Sequence, residues 1–390
     1  LWDTTGRELT VLHGHAQSVV ALAFSPDRMQ LVSGSSDGTA RIWRTQPQRC
    51  ETVELSSDET AEIVTASADG RLILMASREA SGEGNIVAGL WPSHLRDRFR
   101  LRQIPLPLTP WDWGQDQPGP HVLALALTPN GRLLLTSLEI RTEVGKRNLV
   151  VLWPRMDRSV REELRFQNPL ALPWNAPVYA VAVDAAGRTA ALLEAGGVWL
   201  WELPALGAKP AGKVSPPRCI YTTDKQKPAR DCIFDPSGRH LALAIEKQLV
   251  ILDRDGRVLL ERQLQDRITA LAWGGPQGDW LAIAQADGLV RVASWKPSEK
   301  ALDWQADITG HDGAVYALAF SPNGRTLASG GYDRVVVLSD PQTGQERARL
   351  TGHVERILRL QFLPDASALL SFARDGSVKY WPARNQAAGP

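Results

Sequence analysis

The sequence predicts an all-β protein in which small antiparallel sheets stack side by side into a closed ring. Three observations lead to this fold class. First, the segment Leu12–Trp43 returns in closely similar form at Gly310–Asp340 and at Gly352–Trp381. Second, apolar runs of strand length alternate with tight turns rich in Pro, Asn, Asp and Gly. Third, no segment keeps the apolar period of a helix.

Tight turns identify eight repeats. Asn-Gly and Asp-Gly tolerate the positive φ that a close reversal between two strands requires. The turns are Pro26-Asp27-Arg28, Ala68-Asp69-Gly70, Pro129-Asn130-Gly131, Ala185-Ala186-Gly187, Pro236-Ser237-Gly238, Pro276-Gln277-Gly278, Pro322-Asn323-Gly324 and Pro364-Asp365-Ala366. The repeats are centred near 12–44, 50–97, 100–156, 160–207, 208–259, 260–300, 301–350 and 351–386. We predict that they form a single domain over residues 1–390.

Apolar runs on both sides of these turns predict sheets that are covered on both faces. Inner runs such as Val20–Phe24 and Tyr316–Phe320 are apolar throughout. One sheet cannot cover its own faces, but radially stacked sheets cover one another and a closed ring leaves no end face. We therefore predict a closed β-propeller of four-stranded antiparallel blades, with eight blades and with seven as the alternative. Because the last repeat ends after three strands, Leu9–Leu12 is predicted to supply its fourth strand.

Composition argues against several classes of partner and location. Lys and Arg total 44 against 43 Asp and Glu, so no general field attracts nucleic acid or an anionic membrane. The apolar runs are shorter than a membrane span. The cysteines Cys50, Cys219 and Cys232 have no CxxC spacing, which predicts buried thiols in the cytoplasm. The first residues lack a signal peptide, and we expect them to continue a larger chain.

Three repeats share a spacing of His, Ser and Asp. A Gly-His is followed 22 residues later by an Asp, and a Ser lies four residues before that Asp. In the first and last repeats a Trp follows six residues after the Asp. The pattern resembles the WD40-repeat family of β-propellers, and the resemblance implies that these side chains form a hydrogen-bonded tetrad inside each blade. The residues are His15, Ser33, Asp37 and Trp43, then His311, Ser329 and Asp333, and finally His353, Ser371, Asp375 and Trp381.

The remaining repeats depart from this pattern. Ser339 stands where a Trp is expected, so the network beside His311 is expected to end early. Trp91, Trp153, Trp201 and Trp295 keep approximately the Trp position, whereas repeat five has Leu252-Asp253 there. A set of His, Ser and Asp also suggests a catalytic triad. A set that recurs inside successive blades, however, predicts a structural role.

Extra length on one face of the ring predicts an interaction surface. That face carries the predicted His and Asp positions, and rigid scaffolds commonly bind through such loops. The long segments are Arg78–Asn85, Thr109–Pro120, Glu139–Asn148, Asn168–Pro177 and Thr222–Arg230. Their partner-binding candidates are Trp111, Trp113, Trp174, Arg141, Lys146, Arg147, Lys225, Lys227 and Arg230, and the family resemblance adds Ser36, Tyr332 and Arg374. The alternative is that such a Trp caps its own blade and that the basic side chains are merely solvated.

Three functional classes compete. The favoured one is a non-catalytic recognition scaffold without a cofactor, the sensor or partner-binding module of a larger signalling protein, with a protein partner or a fused effector domain. The second is a propeller enzyme with a site at the central channel. The sequence shows no metal-ligand spacing, Walker loop or Gly-x-Ser-x-Gly, so we expect neither a metal nor an enzyme. The third is nucleic-acid binding through the basic loops, which steep salt dependence would support.

Overall fold

A computed structural model shows strands and turns, and none of the segments that it describes is a helix. The described residues are 18–24, 30–36, 40–44, 51–53, 60–67, 72–78, 84–90, 100–103, 121–142, 145–154, 170–204, 215–224, 229–275 and 277–383. The chain divides into two compact units, Leu1–Glu51 and Thr52–Pro390. The single-domain organisation stays a prediction.

The first unit contains one three-stranded antiparallel sheet. Its strands β1 (Val19–Phe24), β2 (Gln30–Ser35) and β3 (Ala40–Arg44) pair in the order β1-β2-β3. The side chains from Val19 to Ala23 are exposed, and Val20 keeps 70% of its surface accessible. The prediction that this run is covered on both faces is therefore wrong for β1, since no second sheet lies on it among the described residues of its own unit.

Strands β4 to β31 form seven antiparallel sheets of four strands each. The first fourteen are β4 (Glu51–Val53), β5 (Thr60–Ala66), β6 (Leu72–Arg78), β7 (Gly84–Leu90), β8 (Arg100–Gln103), β9 (His121–Leu127), β10 (Leu133–Thr142), β11 (Gly145–Pro154), β12 (Leu170–Trp174), β13 (Val178–Val183), β14 (Thr189–Glu194), β15 (Gly197–Glu202), β16 (Arg218–Thr222) and β17 (Ala229–Phe234). The rest are β18 (His240–Ile245), β19 (Gln248–Asp253), β20 (Val258–Gln263), β21 (Ile268–Gly274), β22 (Trp280–Gln285), β23 (Val290–Lys296), β24 (Ala301–Ile308), β25 (Val315–Phe320), β26 (Leu327–Gly331), β27 (Val336–Ser339), β28 (Glu346–Leu350), β29 (Ile357–Phe362), β30 (Ala368–Ala373) and β31 (Val378–Pro382).

Six of these sheets are made of four strands in chain order, here called inner, second, third and outer. The seventh has the order β29-β30-β31-β4, so its outer strand comes from an earlier part of the chain. The predicted strand Leu9–Leu12 lies outside the described residues. The strand beside β31 is β4 instead, which corrects that prediction by moving the fourth strand to Glu51–Val53.

Every described inner strand carries a β-bulge near its beginning, where one residue is left out of the ladder with the second strand. A bulge bends its strand and redirects the adjacent side chains. The bypassed residues are Val20, Glu62, Leu123, Tyr179, Arg230, Thr269, Tyr316 and Leu358. The strand start therefore has the same local geometry in each sheet, although these residues differ widely in chemistry.

The tight turns between inner and second strands end in a residue with positive φ, as the turn chemistry predicts. The glycines Gly131, Gly187, Gly238, Gly278 and Gly324 have φ between 66° and 75°. The turns at 26–28 and 68–70, and Pro276, lie outside the described residues. A polar residue before the turn binds the returning strand: Asp184 Oδ1, for example, accepts from the Arg188 and Thr189 N–H groups at 2.8 and 3.1 Å.

Ala366 occupies the glycine position of its turn with φ of 55°. A side chain in this region costs about 1–2 kcal/mol, whereas glycine adds about 0.5–1 kcal/mol of backbone entropy to lose on folding. We expect Ala366→Gly to raise the free energy of unfolding by up to about 1 kcal/mol in urea titrations. The reciprocal Gly324→Ala is expected to lower it by about 1–2 kcal/mol. Equal effects of the two changes would contradict this explanation.

The inner strands of the second unit pack against one another in succession. β5 contacts β9, and the contacts continue through β13, β17, β21 and β25 to β29, which also contacts β5. Side chains join neighbouring strands: Asp231 Oδ2 accepts from the Leu271 N–H at 3.0 Å, and Gln361 Nε2 donates to the Ser67 carbonyl oxygen at 2.6 Å. The first bond connects two consecutive sheets, and the second connects sheets near the two ends of the second unit.

Between the sheets lie apolar clusters. The cluster between β5–β8 and β29–β31 includes Ile73, Met75, Leu370 and Phe372, all of them fully or almost fully buried. It joins a sheet near the beginning of the second unit to the sheet at its end. Burial on this scale is the main driving force for holding sheets face to face.

Candidate interaction face

Each four-stranded sheet has two edges at which its strands are connected. The connection from outer strand to next inner strand and the hairpin between second and third strands lie on one edge, because successive antiparallel connections alternate. We call this the histidine edge, since His311 and His353 lie there. The opposite edge bears the turns that end at Gly131, Gly187, Gly238 and Gly324, and we call it the glycine-turn edge.

His311 lies between the serine and aspartate that its spacing predicts. Its Nδ1 lies 2.8 Å from Asp333 Oδ2, and its Nε2 lies 2.7 Å from Ser329 Oγ. Burial alone would raise the pKa of Asp333. The hydrogen bond from His311 and the Coulombic interaction with His311 outweigh this effect, so the pKa lies below its usual value. The carboxylate thus stays ionised and fixes the loop to the hairpin.

The network beside His311 ends at Ser329, as expected from Ser339 at the Trp position. Ser329 Oγ lies 3.5 Å from the Val337 carbonyl oxygen. The Ser339 hydroxyl is buried and has no hydrogen-bond partner among the described residues. This site therefore contains two linked side chains around the histidine and an isolated hydroxyl.

His353 forms a different chain of hydrogen bonds. Trp381 Nε1 donates to Ser371 Oγ at 2.7 Å, and Ser371 Oγ lies 2.6 Å from His353 Nε2. The other ring nitrogen, Nδ1, lies 3.1 Å from Ser377 Oγ. Asp375 Oδ1 instead accepts from the Ser377 N–H at 2.9 Å. The structure therefore inserts Ser377 between the histidine and the aspartate, a residue that the spacing pattern did not identify.

A neutral imidazole suits this surrounding. His353 is 7% exposed, and its pKa is lowered from 6.5 to about 4. Burial is the main cause, the Lys379 ammonium also lowers this pKa, and Asp375 opposes both to a smaller extent. With a neutral ring, the Ser371 hydroxyl donates to Nε2 while it accepts from the indole. Both ring nitrogens are then used inside the sheet, so this His and Ser are bound to each other and to structural partners.

Replacement of Ser371 with alanine removes the acceptor of Trp381 and the donor to His353. We expect Ser371→Ala to lower the free energy of unfolding by about 1–3 kcal/mol, because two buried groups lose their partner. Ser339→Ala is the matched control, since that hydroxyl has no described partner. Chemical denaturation of both variants measures the difference. A loss for Ser339→Ala as large as that for Ser371→Ala would contradict the assigned bonds.

The first repeat is only partly described. Ser33 is buried in β2, whereas His15 and Asp37 lie outside the described residues and the Trp43 side chain is not described. In the third repeat, Trp153 Nε1 donates to Thr136 Oγ1 at 2.9 Å, a pair that sequence spacing missed. The indole nitrogens of Trp201 and Trp295 are buried without a hydrogen-bond partner in the described part of the chain. Trp91 lies outside it.

The structure corrects the prediction for Trp174. This residue ends strand β12 and pairs with Asn148 on β11, so it does not lie in a loop. Its Nε1 donates to Glu194 Oε2 at 2.7 Å, and its ring meets Trp199 edge-on at a centroid distance of 5.5 Å. Packing against the next sheet explains the aromatic residue. Trp111 and Trp113 lie outside the described residues.

Two predicted long loops are mostly strand. Glu139–Asn148 continues the β10–β11 ladder, where Arg141 pairs with Lys146. Asn168–Pro177 contains the outer strand β12. Extension of the hairpin by paired residues satisfies backbone groups that a loop would leave to water. The predicted lengthening of the second hairpin at Glu139–Asn148 is therefore confirmed, as paired strand on the histidine edge. The prediction of a loop over Asn168–Pro177 is wrong, since most of this segment is β12 or adjoins it.

The basic candidates differ in their surroundings. Lys146 and Arg147 are exposed, and Lys146 Nζ lies 2.7 Å from Glu139 Oε1. Arg230 is exposed and pairs with Glu246 at 3.2 Å. The Arg141 side chain is not described, and Lys225 and Lys227 lie outside the described residues. Exposed ion pairs contribute little to stability, so these charges remain accessible to a partner.

Tyr332 and Arg374 take equivalent places after the second strand of their sheets. Tyr332 is 63% exposed, and Arg374 is also exposed. The Tyr332 N–H donates to the Ala314 carbonyl oxygen at 2.9 Å, and the Arg374 N–H donates to the Arg356 carbonyl oxygen at 3.0 Å. These backbone bonds fix both side chains at the histidine edge, as the family resemblance implies, and Ser36 is exposed in the first unit.

Within the described ranges, no group of three or more His, Cys, Asp or Glu side chains is arranged to hold a metal ion. None of those ranges forms a helix of the length and apolarity that a membrane crossing needs.

Comparison with known proteins identifies the repeats. The family described as WD domain, G-beta repeat matches residues 6–44, 304–340 and 344–382. Coronin-7 of Mus musculus is 34% identical over 119 residues, which cover 30% of this chain and 13% of coronin-7. THO complex subunit 3 of Arabidopsis thaliana is 35% identical over 109 residues, 27% of this chain and 33% of that protein. The matches thus span a minor part of these relatives.

Comparison of structures identifies the fold. The crystal structure of the Cps50 (Swd1) β-propeller domain of Myceliophteria thermophila superimposes with a TM-score of 0.59 at 16% identity. The match covers 86% of this chain and 99% of that domain. The propeller similarity thus extends over the degenerate repeats, which the sequence matches leave out. Three segments of this chain therefore match the WD40 repeat, and its fold is similar to that of a β-propeller.

Proposed function

We propose that this chain is a non-catalytic protein-interaction module whose histidine edge receives a protein partner. The observation that carries the proposal is the internal use of its reactive side chains. His353 and Ser371 bind each other, Ser377 and Trp381, and His311 binds Ser329 and Asp333. A nucleophile or general base needs access to substrate, whereas these groups hold hairpins together.

A closed ring of seven sheets in the second unit is part of this proposal. Contact between β29 and β5 supports it, as do the Gln361 bond to Ser67 and the buried cluster around Phe372. An eighth sheet inserted at this place would separate β29 from β5. Closure makes the histidine edge a rigid platform, and rigid scaffolds bind partners at low entropic cost.

The relatives support a role in assemblies. Two of them are named as subunits of complexes, THO complex subunit 3 and the anaphase-promoting complex subunit cdh1 of Dictyostelium discoideum, the latter 30% identical over 125 residues, 32% of this chain and 16% of that protein. By analogy, this chain is the partner-binding or sensor module of a larger signalling protein, with a protein partner or a fused effector domain. Of the described cysteines, Cys232 is buried as predicted, whereas Cys219 is exposed, so the prediction of a buried thiol is wrong for Cys219. We place the chain in the cytoplasm, where both free thiols stay reduced.

Affinity purification of the tagged full-length protein tests this function. The partner should copurify in stoichiometric amount with the unchanged chain. It should be lost from a histidine-edge variant that combines Lys146→Glu, Arg147→Glu, Tyr332→Ala and Arg374→Glu.

Matched charge reversals at the other edge supply the control. Arg188→Glu, Arg239→Glu and Arg325→Glu change exposed residues at the glycine-turn edge, and this variant should keep the partner. Loss of the partner only from the control variant would contradict the proposal, because it would place binding at the glycine-turn edge. A purified chain with catalytic turnover but without a stoichiometric partner would replace the proposal with an enzyme.

A further inference from the structure

Two arginines of the last sheet lie together at the histidine edge. The Arg374 N–H donates to the Arg356 carbonyl oxygen, which places the two residues side by side. The adjoining sheet contributes Tyr316 and Tyr332, and the loop before β29 contributes Val354. We call Tyr316, Tyr332, Val354, Arg356 and Arg374 the arginine patch.

Packing between the two sheets joins the members of the patch. Gly330, near the end of β26, lies against the Ile357 side chain, where an added Cβ would come within 3.1 Å. Tyr332 follows this end of β26, and Arg356 precedes Ile357, so both border the same seam. The Arg356 guanidinium lies over the Tyr316 ring at 5.6 Å from its centroid. Stacking on an aromatic face holds an arginine in place without using its N–H donors.

The guanidinium N–H groups of these arginines have no hydrogen-bond acceptor within the described protein. Neither Arg356 nor Arg374 forms an ion pair or a side-chain hydrogen bond there, and Arg356 Nε is buried without a partner. By contrast, Arg349 binds Glu346 and Arg291 binds Asp307 within the same unit. A buried N–H without an acceptor is costly and in native proteins commonly marks a place for a ligand or other acceptor.

Arg359 does not belong to this patch, although it lies three residues after Arg356. Burial lowers the pKa of Arg359, whereas its interaction with the charge of the Asp231 carboxylate of β17 raises that pKa. Arg359 and Asp231 both follow the bulge of their strand, a position that is alanine in five other sheets, at Ala21, Ala124, Ala180, Ala270 and Ala317.

Resting on the proposed function of this edge, we propose that the arginine patch binds an acidic segment of the protein partner. Its carboxylates accept from Arg356 and Arg374, and an apolar side chain of the segment packs on Tyr332 and Val354. Tyr332 is 63% and Val354 70% exposed. Arginine pairs with carboxylates through two parallel hydrogen bonds, and an exposed aromatic beside it is a common interface anchor.

The charges around the patch favour a short acidic peptide over a nucleic acid. Glu355 and Asp375 adjoin Arg356 and Arg374 in sequence, and Asp312 lies on the neighbouring loop. A continuous phosphate backbone would run past these carboxylates and be repelled, whereas a peptide can place its carboxylates on the arginines alone.

Selection from a random peptide display library tests the patch without knowledge of the partner. The purified chain should enrich peptides with paired Asp or Glu next to an aromatic or aliphatic residue. Fluorescence anisotropy of the most enriched peptide should show affinity at least about tenfold weaker for Arg356→Gln and for Arg374→Gln. Arg356→Lys, which keeps the charge but loses the planar fork, should also weaken binding. Circular dichroism and melting temperature verify that the variants fold.

The outcomes separate this inference from the proposed function. Arg239→Gln at the glycine-turn edge is the control and should leave the affinity unchanged. Enriched peptides without acidic residues, or peptides whose binding depends on Lys146 and Arg147 instead, overturn the patch and leave the interaction function standing. Tighter binding of a single-stranded oligonucleotide than of any acidic peptide, or no enrichment at all, also overturns the patch.

Discussion

Replacement of Phe372 with alanine is expected to lower the free energy of unfolding of the second unit by about 3–5 kcal/mol. Phe372 is completely buried in the cluster that joins the sheet β29–β31 to the sheet β5–β8. The change removes apolar burial and leaves a cavity where the last sheet meets an early one. Urea titration followed by tryptophan fluorescence measures the loss.

A surface substitution of similar kind supplies the control for Phe372. Val258 is 41% exposed on the outer strand β20, and Val258→Ala should change the free energy of unfolding by less than about 0.5 kcal/mol. If Phe372→Ala were tolerated as well as Val258→Ala, the cluster between β5–β8 and β29–β31 would not hold these sheets together.

Acid is expected to remove stability that depends on His353. Burial, aided by Lys379, lowers its pKa from 6.5 to about 4 in the folded protein. Between these values the unfolded chain binds a proton that the folded chain does not, so the contribution is complete above pH 6.5 and is lost as the pH falls toward 4. The full shift corresponds to a loss of about 3 kcal/mol.

Comparison with His353→Gln isolates this contribution. Burial raises the pKa of Asp231 to about 6, which changes stability in the opposite direction over part of the same range but equally in both proteins. The stability difference between unchanged protein and variant, from denaturation at pH 7, 5.5 and 4.5, should shrink with acid. A difference independent of pH would mean that His353 is protonated as readily in the folded chain as in the unfolded one.

Local chemistry made the turns predictable. Triplets such as Pro-Asn-Gly predict a turn that ends in a residue with positive φ. Even Ala366 has the positive φ of the glycines at the equivalent turn position. The bulge at the start of each inner strand has no such signature, since the bypassed residues range from Glu62 to Tyr316. Its position follows from pairing with the second strand, which spacing alone does not reveal.

Spacing predicted the tetrads only where hairpins have standard length. Ser371 and its Trp381 are 10 residues apart, whereas Thr136 and its Trp153 are 17 apart because the β10–β11 hairpin is longer. Register, rather than distance along the chain, therefore pairs hydroxyl and indole. Trp174 was misassigned for a related reason, since its partners Trp199 and Glu194 belong to the next sheet.

The most direct test of the account is the distance between the first and last inner strands of the second unit. In a variant with its three cysteines changed to alanine, spin labels would be attached at Glu62→Cys and Leu358→Cys, the bulge residues of β5 and β29. A closed ring places these strands in neighbouring sheets, about 10 Å apart, and predicts strong dipolar broadening. An open row of seven sheets would separate them by roughly 60 Å, and a distance of that size would contradict the ring.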